Sequence, residues 1–507
     1  RSAILADEMG LGKTCQLLLT IEWLANNRRM DGPVLIVAPV STLGHWQREV
    51  HAWTGLSCAV LHGPAEARKA FLTHECRHTD ACGKSTRRLR FHVLITAYDT
   101  LCLELTPLSS LKWQYLVVDE AHRLKNPQTK LVKALHSLHC PHTTLLTGTP
   151  VQNNVPELLG LISFLDPVSF SSERQAELLS RYGDLARPEQ VEGLQSLIRP
   201  YVLRRTKEEL SQPLPAKRET LLKVSLTPSQ MRVYRSIMDR SLEHICNPRS
   251  SLRNVFMQLR KACNHPLLLE DGSDAEQEVQ HAAHEAADAL ARLVKEGGAS
   301  EAAAAEEDDN SNSNSTSAVN AASSRRAQLT RLVDKGLESL VRPSGKMVLL
   351  DKLLPRLRQR GHKVLIFSQF AMMLDLIEEY LSLKVPVLGT YQRVDGGVTG
   401  PTRQRAIDAF QSDEKCFAFL LTTRAGGQGI NLTAADTVIL FDSDWNPQGD
   451  NQGQARAHRI GQEREVSVYR LVTRGTYEER LLDRAMKKLS LEHALLQPAA
   501  MDGGGGG

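Results

Sequence analysis

Short runs of apolar residues recur through the first 165 positions of the chain, and each is followed by turn residues and a helical stretch. Runs of this length are typical of strands that are buried on both faces of a parallel sheet. The predicted strands lie at 3–6, 34–38, 93–96, 115–118 and 144–146. The pattern therefore predicts a first α/β body.

The pattern changes after this body and then returns. Residues 166–270 are mainly helical in pattern, with one expected strand near 219–226. Further apolar runs at 364–367, 417–421 and 437–441 predict a second parallel sheet. The predicted fold class is α/β with two sheet-centred bodies, whose ligands are expected at the carboxyl ends of strands.

Two segments lack the composition of a packed core. Residues 271–327 contain an Ala/Glu/Asp run at 301–309 and an Asn/Ser run at 310–316, which predict a disordered linker. The chain closes on five glycines at 503–507, so residues 491–507 are expected to form a flexible tail.

Composition narrows the class of protein only a little further. Apolar residues make up 41% of the 507 positions and charged residues 24%, which is a globular composition. The 62 basic and 58 acidic residues nearly cancel, so the net charge of +4 does not argue for nucleic acid. Nine cysteines without a secretory signal favour a reduced intracellular chain. No apolar run reaches the roughly 18 residues of a membrane helix.

A phosphate-binding loop is predicted between the first strand and the first helix. Asp7-Glu-Met-Gly10-Leu-Gly12-Lys13-Thr14 has the strand–loop–helix context that such a loop needs. Glycines let backbone N–H groups face phosphates, the lysine reaches the β- and γ-phosphates, and the threonine hydroxyl ligates Mg²⁺. Asp7 stands where the generic pattern has glycine. The loop predicts a nucleotide site formed by Asp7, Gly10, Gly12, Lys13 and Thr14.

Two adjacent carboxylates follow a later apolar strand of the same body. Asp119 is suited to hold Mg²⁺, and Glu120 is suited to orient and deprotonate the attacking water. Either acidic residue alone is compatible with a solvated strand end. Together with the phosphate loop, in this order along one sheet, they predict an ATP hydrolase that uses Mg²⁺.

A pair of arginines in the second body is the third part of the expected site. Arg456 and Arg459 are three positions apart, which on a helix places both on one face. Arginines of this kind neutralise charge that builds on the γ-phosphate, and two fingers from a second lobe make hydrolysis depend on lobe closure. The alternative is a surface pair held in salt bridges. The nearby Gln462 is assigned to the ATP site with them.

Several motifs in this order resemble those of superfamily-two helicases. They lie at 7–14, 38–43, 119–122 (the DEAH sequence), 146–150, 423–432 and 454–462. Narrower motifs resemble the Swi/Snf-type chromatin-remodelling ATPases: LADEMGLGKT at 5–14, LRKACNHP at 259–266, DWNPQ at 444–448 and RAHRIGQ at 456–462. VDEAHRLKN at 118–126 and SGKMVLLDKLL at 344–354 are most similar to the chromodomain-helicase-DNA-binding type.

This resemblance implies two RecA-like lobes, each a parallel sheet flanked by helices, with helical insertions. The segment that normally precedes the phosphate loop is absent, so we expect the first lobe to be truncated at its N-terminal end. The expected divisions are lobe 1 at 1–212, a connecting strand and helices at 213–270, the linker at 271–327, lobe 2 at 328–490 and the tail at 491–507.

The same resemblance implies an ATP- and Mg²⁺-dependent translocase on double-stranded DNA that slides nucleosomes in the nucleus, with subunits of a remodelling complex among its expected partners. It implies sequence-independent contacts to the DNA backbone, which are sensitive to salt. The implied contact residues are Ser41, Thr42, Trp46, Lys125, Asn126, Thr423 and Arg424. The basic insertion at 84–90 is equally compatible with DNA phosphates and with a solvated loop.

Two other functions remain open from the sequence. One is a repair or recombination translocase of the same family, which strips proteins from naked DNA. The other is a catalytically silent, chromatin-binding scaffold that binds ATP without turnover. Intact Lys13, Glu120 and both arginines favour the enzyme over the scaffold.

Overall fold

The structure is a computed structural model of the chain. It describes residues 2–27, 29–30, 32–80, 85–124, 126–148, 155–183, 188–245, 252–269, 285–286, 288–290, 292, 315–398, 400–423 and 429–496.

The first body is built on a seven-stranded sheet. Its strand order is β3-β6-β2-β7-β8-β1-β9, and all of its pairings are parallel. The strands are β1 (Ala3–Leu5), β2 (Val34–Ala38), β3 (Cys58–Leu61), β6 (Val93–Ala97), β7 (Tyr115–Val118), β8 (His142–Leu146) and β9 (Val202–Leu203). An antiparallel hairpin, β4 (Arg77–Thr79) and β5 (Ser85–Leu89), lies between β3 and β6 in the chain.

Helices cover both faces of this sheet because its central strands are apolar on both sides. One face packs against α1 and α2, with Leu18, Ile21 and Trp46 in its core. The opposite face packs against the helices from Tyr98 to Ile198. The helices are α1 (Lys13–Asn26), α2 (Leu43–Trp53), α3 (Ala65–Ala70), α4 (Tyr98–Leu103), α5 (Leu105–Ser109), α6 (Lys130–His136), α7 (Val155–Leu165), α8 (Ser172–Tyr182) and α9 (Pro188–Ile198).

The second body contains a six-stranded parallel sheet in the order β10-β15-β14-β11-β13-β12. Its strands are β10 (Lys217–Val224), β11 (Val364–Ser368), β12 (Thr390–Val394), β13 (Cys416–Thr422), β14 (Thr437–Leu440) and β15 (Val466–Thr473). Its helices are α10 (Pro228–Ile245), α11 (Leu252–Asn264), α12 (Ser315–Val341), α13 (Gly345–Gln359), α14 (Ala371–Leu388), α15 (Gly400–Ser412), α16 (Pro447–Gln454) and α17 (Tyr477–Leu496). The α/β class with two RecA-like lobes is therefore confirmed.

Every strand predicted from an apolar run is present, but four strands of the two sheets were not predicted. Strands β3 and β12 are short sheet edges, and β9 has only two residues. Strand β15 was missed because Ser467 and Arg470 interrupt its apolar run. Arg470 is nevertheless buried, because its guanidinium bonds Asp450 and Glu219.

Two segments predicted to be flexible are partly helical. Helix α12 begins at Ser315, inside the predicted linker, and its residues Leu329 and Val333 pack against Ala289. Helix α17 runs to Leu496, inside the predicted tail. In α12, Leu329 and Val333 are spaced for a buried helical face, which outweighs the polar composition of the residues before them. In the described part of the chain, no helix has the length and apolarity needed to cross a membrane.

Candidate active site

The phosphate loop joins β1 to the first turn of α1. Gly10 and Gly12 have φ angles of +92° and +71°, which only glycine adopts without strain, and Gly12 caps the helix. The Lys13 Nζ donates to the Asp7 carbonyl at 2.8 Å and to the Glu8 carbonyl at 3.3 Å. The loop is therefore wrapped around its own lysine at a helix N-terminus, which is the arrangement that binds phosphate.

The lysine is held in a low-dielectric position beside the two carboxylates of the sheet. Burial lowers the pKa of Lys13 to about 8, even though the negative charges of Glu120 and Asp119 favour its protonated form. An added phosphate group would favour the protonated form further. Thr14 occupies the second position of α1, next to this lysine.

Asp119 follows β7 and is fixed by three groups of the first lobe. The Trp46 Nε1 donates to its Oδ2 at 2.9 Å, and the Glu120 backbone N–H donates to its Oδ1 at 2.9 Å. The Tyr98 hydroxyl donates to its carbonyl. Burial and the charge of Glu120 raise the pKa of Asp119 to about 6, although the Trp46 hydrogen bond opposes the change. A divalent cation would remove the residual proton.

Glu120 adopts a left-handed backbone with φ of +49°, which is uncommon outside glycine and costs conformational energy. Its Oε2 lies 3.2 Å from the His122 Nδ1. Burial alone would raise the pKa of Glu120, but His122, Arg456 and Lys13 outweigh it and the pKa is lowered. Glu120 is therefore a carboxylate at neutral pH, able to accept a proton.

The two arginines reach the same cleft from the second lobe. They lie in the turns that follow α16, so the prediction that they lie on a helix is wrong. Hydrogen bonds within these turns keep the backbone compact. The Arg456 N–H donates to the Gly453 carbonyl, and the next N–H donates to the Gln454 carbonyl. Burial and the charge of Arg459 lower the pKa of Arg456 to about 10, against the opposing charges of Glu120 and Asp119.

The second lobe lies directly on the phosphate loop. The Ile460 N–H donates to the Gly10 carbonyl at 3.3 Å, and a Cβ added to Gly10 would lie only 2.8 Å from the Arg459 Cβ. The Arg459 Nε is buried without a hydrogen-bond partner among the residues that the structure describes. A buried, unpaired guanidinium N–H beside a phosphate loop fits an anionic ligand.

Two residues predicted to bind ATP have structural partners instead. The Gln462 Nε2 donates to the carbonyls of Thr433, Ala435 and Ala457 at 2.8–3.1 Å. Its Oε1 accepts two backbone N–H groups of the following residues at 3.0 Å each. All polar atoms of this side chain therefore brace its own loop, and the assignment of Gln462 to ATP is wrong.

Asp7 requires a similar correction. Its carboxylate is fully buried, accepts from the Gln16 Nε2 at 3.1 Å and forms an ion pair with the Arg205 Nη2 at 2.6 Å. A carboxylate repels phosphate, so the Asp7 side chain supports the loop through Gln16 and Arg205 and does not itself contact the phosphates. Arg205 was not predicted, although the run Arg204-Arg205-Thr206-Lys207 after the last strand of lobe 1 signals a basic cluster.

The residues predicted to contact DNA divide into buried and exposed groups. Trp46 is 1% exposed and bonds Asp119, so the prediction of a DNA contact is wrong for it. The buried Thr42 donates its hydroxyl to the Pro39 carbonyl, which removes it from the surface as well. Ser41 is exposed, and its carbonyl accepts from the Arg403 Nη1 of the second lobe at 3.3 Å.

Three further positions complete this set. Asn126 is exposed. Thr423 is buried at the end of β13 and lines a cavity of about 250 Å³ that also contains Glu120 and His122. Lys125 and Arg424 lie outside the described residues. The DNA contacts of Ser41, Asn126 and Thr423 stay predictions.

A larger groove of about 950 Å³ lies between the lobes. Its lining includes Ser41 together with Arg48, Arg123, Arg403 and Arg405, and also several acidic residues. Both lobes therefore contribute cations to one open groove beside the site.

Comparison with known proteins gives a consistent result for both lobes. The model of the SNF2-related domain matches residues 1–268, and that of the helicase conserved C-terminal domain matches residues 345–461. The chain is 41% identical over 504 residues to chromodomain-helicase-DNA-binding protein 6 of Rattus norvegicus, covering 98% of this chain and 17% of the relative. It is 42% identical over 505 residues to chromodomain-helicase-DNA-binding protein 8 of Danio rerio, covering 98% of this chain and 18% of the relative. The chain spans less than a fifth of the length of these curated relatives.

Proposed function

Because the chain belongs to the SNF2-related family of helicase-like ATPases, and within it to the chromodomain-helicase-DNA-binding type, we propose that it hydrolyses ATP between its lobes to translocate on double-stranded DNA and to slide or remodel nucleosomes. The observation that carries the proposal is the cleft itself. Arg456 of the second lobe lies close enough to Lys13 and Glu120 of the first that its charge acts on the pKa of both, and Arg459 packs against Gly10 of the phosphate loop.

Each group has a distinct task in this proposal. Lys13 and the N-terminus of α1 bind the phosphates, and Thr14 and Asp119 would hold Mg²⁺, which withdraws charge from the phosphate oxygens when bound. Glu120 orients the attacking water and accepts its proton. Arg456 and Arg459 neutralise the charge that develops on the transferred phosphoryl group.

Closure of the lobes is a condition for hydrolysis in this arrangement, because the arginines and the carboxylates belong to different bodies. A polymer that bridges both lobes therefore stimulates turnover by favouring the closed state. The groove between the lobes carries exposed arginines on both sides, namely Arg48 and Arg405, which suits the phosphate backbone of a duplex.

The proposed partners follow from the family and from this groove. They are double-stranded DNA, nucleosomes and subunits of a remodelling complex, and the proposed location is the nucleus. Ser41, Asn126 and Thr423, with Lys125 and Arg424, are the proposed backbone contacts. Contacts to phosphate position the protein without selecting a sequence, so binding is expected to weaken steeply as salt is raised.

The direct test measures ATP hydrolysis with no DNA, with duplex DNA and with nucleosomes. We expect stimulation by duplex DNA and by nucleosomes, and loss of turnover in Lys13→Ala and Glu120→Gln. The exposed Glu66 supplies the matched control Glu66→Gln, which should retain full activity. Absence of stimulation with intact Lys13 would refute the proposal. Protein stripping from naked DNA without nucleosome sliding would indicate the repair-type translocase, and ATP binding without turnover would indicate the scaffold.

A further inference from the structure

One segment links the two lobes beside the nucleotide site. Residues 204–217, here called the crossing segment, lead from β9 at the edge of the first sheet to β10 at the edge of the second. The segment passes the phosphate loop first and the arginine-bearing turns second. It contacts both, and these contacts lie outside the catalytic groups assigned above.

Its first half is fixed to the phosphate loop. The Arg205 side chain pairs with Asp7, and the Arg205 carbonyl accepts from the Glu8 N–H at 2.9 Å. The Lys207 N–H donates to the Glu8 Oε2 at 2.9 Å, and the Lys207 Nζ lies 3.4 Å from the Glu8 Oε1. Lys207 therefore bonds Glu8 through both its backbone and its side chain.

The same ammonium group reaches the second lobe. The Lys207 Nζ donates to the His458 carbonyl at 2.9 Å and lies 3.4 Å from the His458 Nδ1. The His458 Nε2 lies 2.9 Å from the Pro215 carbonyl, which only accepts, so this nitrogen carries the proton. The Nδ1 is then the acceptor that faces Lys207. The Lys207 side chain is 12% exposed, so water screens these bonds little.

His458 immediately precedes Arg459, whose Cβ packs against Gly10. We propose that Lys207 is a positioning residue for hydrolysis, whose ammonium links Glu8 of the phosphate loop to the His458 carbonyl and thereby holds Arg459 at the phosphates. The inference rests on the proposed role of Arg459. Because one cation serves an acceptor in each lobe, the link forms only when the lobes are closed and breaks when they separate.

The first experiment compares Lys207→Met with Lys223→Met in the full chain. Both changes remove an ion-paired lysine, but Lys223 pairs with Glu479 on a half-exposed surface of the second lobe. We expect kcat to fall about tenfold for Lys207→Met, with KM for ATP within about twofold, since misplacing one catalytic group lowers turnover more than binding. Lys223→Met should leave both constants unchanged. Lys207→Arg should restore part of kcat because it keeps a donor to both acceptors.

A double-mutant cycle with Arg459→Ala separates positioning from a general structural role. If Lys207 acts through Arg459, Lys207→Met should cost less than about twofold in kcat once Arg459 is absent. An equal loss in both backgrounds, or an unchanged kcat in Lys207→Met alone, would overturn the role of Lys207 while leaving that of Arg459 intact. Full turnover in Arg459→Ala would instead refute the arginine finger, and the positioning role with it.

Discussion

The catalytic groups of the two lobes are supported in different ways. In the first lobe, Asp119 is bonded by Trp46 and Tyr98, and Glu120 is paired with His122, all from the same body. In the second lobe, the arginines lie in turns, and the Arg459 Nε is buried without a hydrogen-bond partner among the described residues. The first lobe is thus organised before closure, whereas the second depends on the other lobe and the nucleotide to complete its geometry.

The weaker support of the arginine turns does not extend to the rest of the second lobe. Elsewhere in this lobe, the fully buried Lys346 donates to the Glu478 Oε1 at 2.7 Å, to the Asn264 Oδ1 at 2.9 Å and to the Phe441 carbonyl at 2.9 Å. Asn264 in turn donates to the Asp442 Oδ2 at 2.7 Å. A satisfied buried network makes the body of the lobe rigid. The catalytic turns are braced within the lobe by Gln462, but the Arg459 Nε has no hydrogen-bond partner among the described residues.

The largest expected effect is the loss of turnover when a catalytic arginine is removed. Arg456→Ala should lower kcat about 10³-fold because the developing charge loses one of its two arginines from the second lobe. Its matched control is Arg464→Ala, since Arg464 is exposed and pairs only distantly with Asp436 at 3.4 Å. Single-turnover hydrolysis at saturating ATP measures the chemical step directly. A smaller loss for Arg456→Ala than for Arg464→Ala would invalidate the comparison between the lobes.

The buried network of the second lobe predicts the next effect. Lys346→Met leaves Glu478 buried without its cation, and we expect the free energy of unfolding to fall by about 3 kcal/mol. Denaturant unfolding followed by circular dichroism measures this change. The double variant Lys346→Met/Glu478→Leu should recover part of the loss, because neither charge then remains unpaired. A single-variant loss below about 0.5 kcal/mol would show that the network does not hold the lobe.

The indole hydrogen bond to Asp119 tests the support of the first lobe. Trp46→Phe keeps an aromatic ring but removes the donor, so the pKa of Asp119 should rise and the Mg²⁺ concentration for half-maximal hydrolysis should increase about tenfold. Trp113→Phe is the matched control, since the equally buried Trp113 donates to the Leu108 carbonyl, away from the site. Equal Mg²⁺ requirements in both variants would contradict the role given to Trp46.

The smallest expected effect is the uptake of protons when ATP binds. The pKa of Lys13 is lowered to about 8 by burial, and bound phosphates favour its charged form. In EDTA, which removes the contribution of Mg²⁺ at Asp119, ATP binding at pH 8 should therefore take up about half a proton through Lys13. Calorimetry in buffers of different ionisation enthalpy measures the number of protons taken up per ATP bound. Proton release at pH 8 would be the opposite sign and would exclude this assignment.

The features predicted correctly from the sequence are those set by residues close together along the chain. Strands such as Val34–Ala38 follow from adjacent apolar residues, and the phosphate loop and the Asp119–Glu120 pair follow from short motifs. The errors concern side chains whose partners are remote. Trp46 bonds a carboxylate 73 positions later, and Asp7 pairs with Arg205 at a separation of 198. Motif position does not reveal whether a residue faces a ligand or supports a neighbour that does.

The length of the crossing segment bears on the proposed motor stroke. From Lys207 to Lys217 the segment has about ten residues, which span at most about 35 Å when extended. Duplex DNA rises only about 3.4 Å per base pair. The fully extended segment is therefore about ten times longer than the rise of one base pair. We expect the Lys207 contacts, rather than the length of the segment, to restrain the closed state.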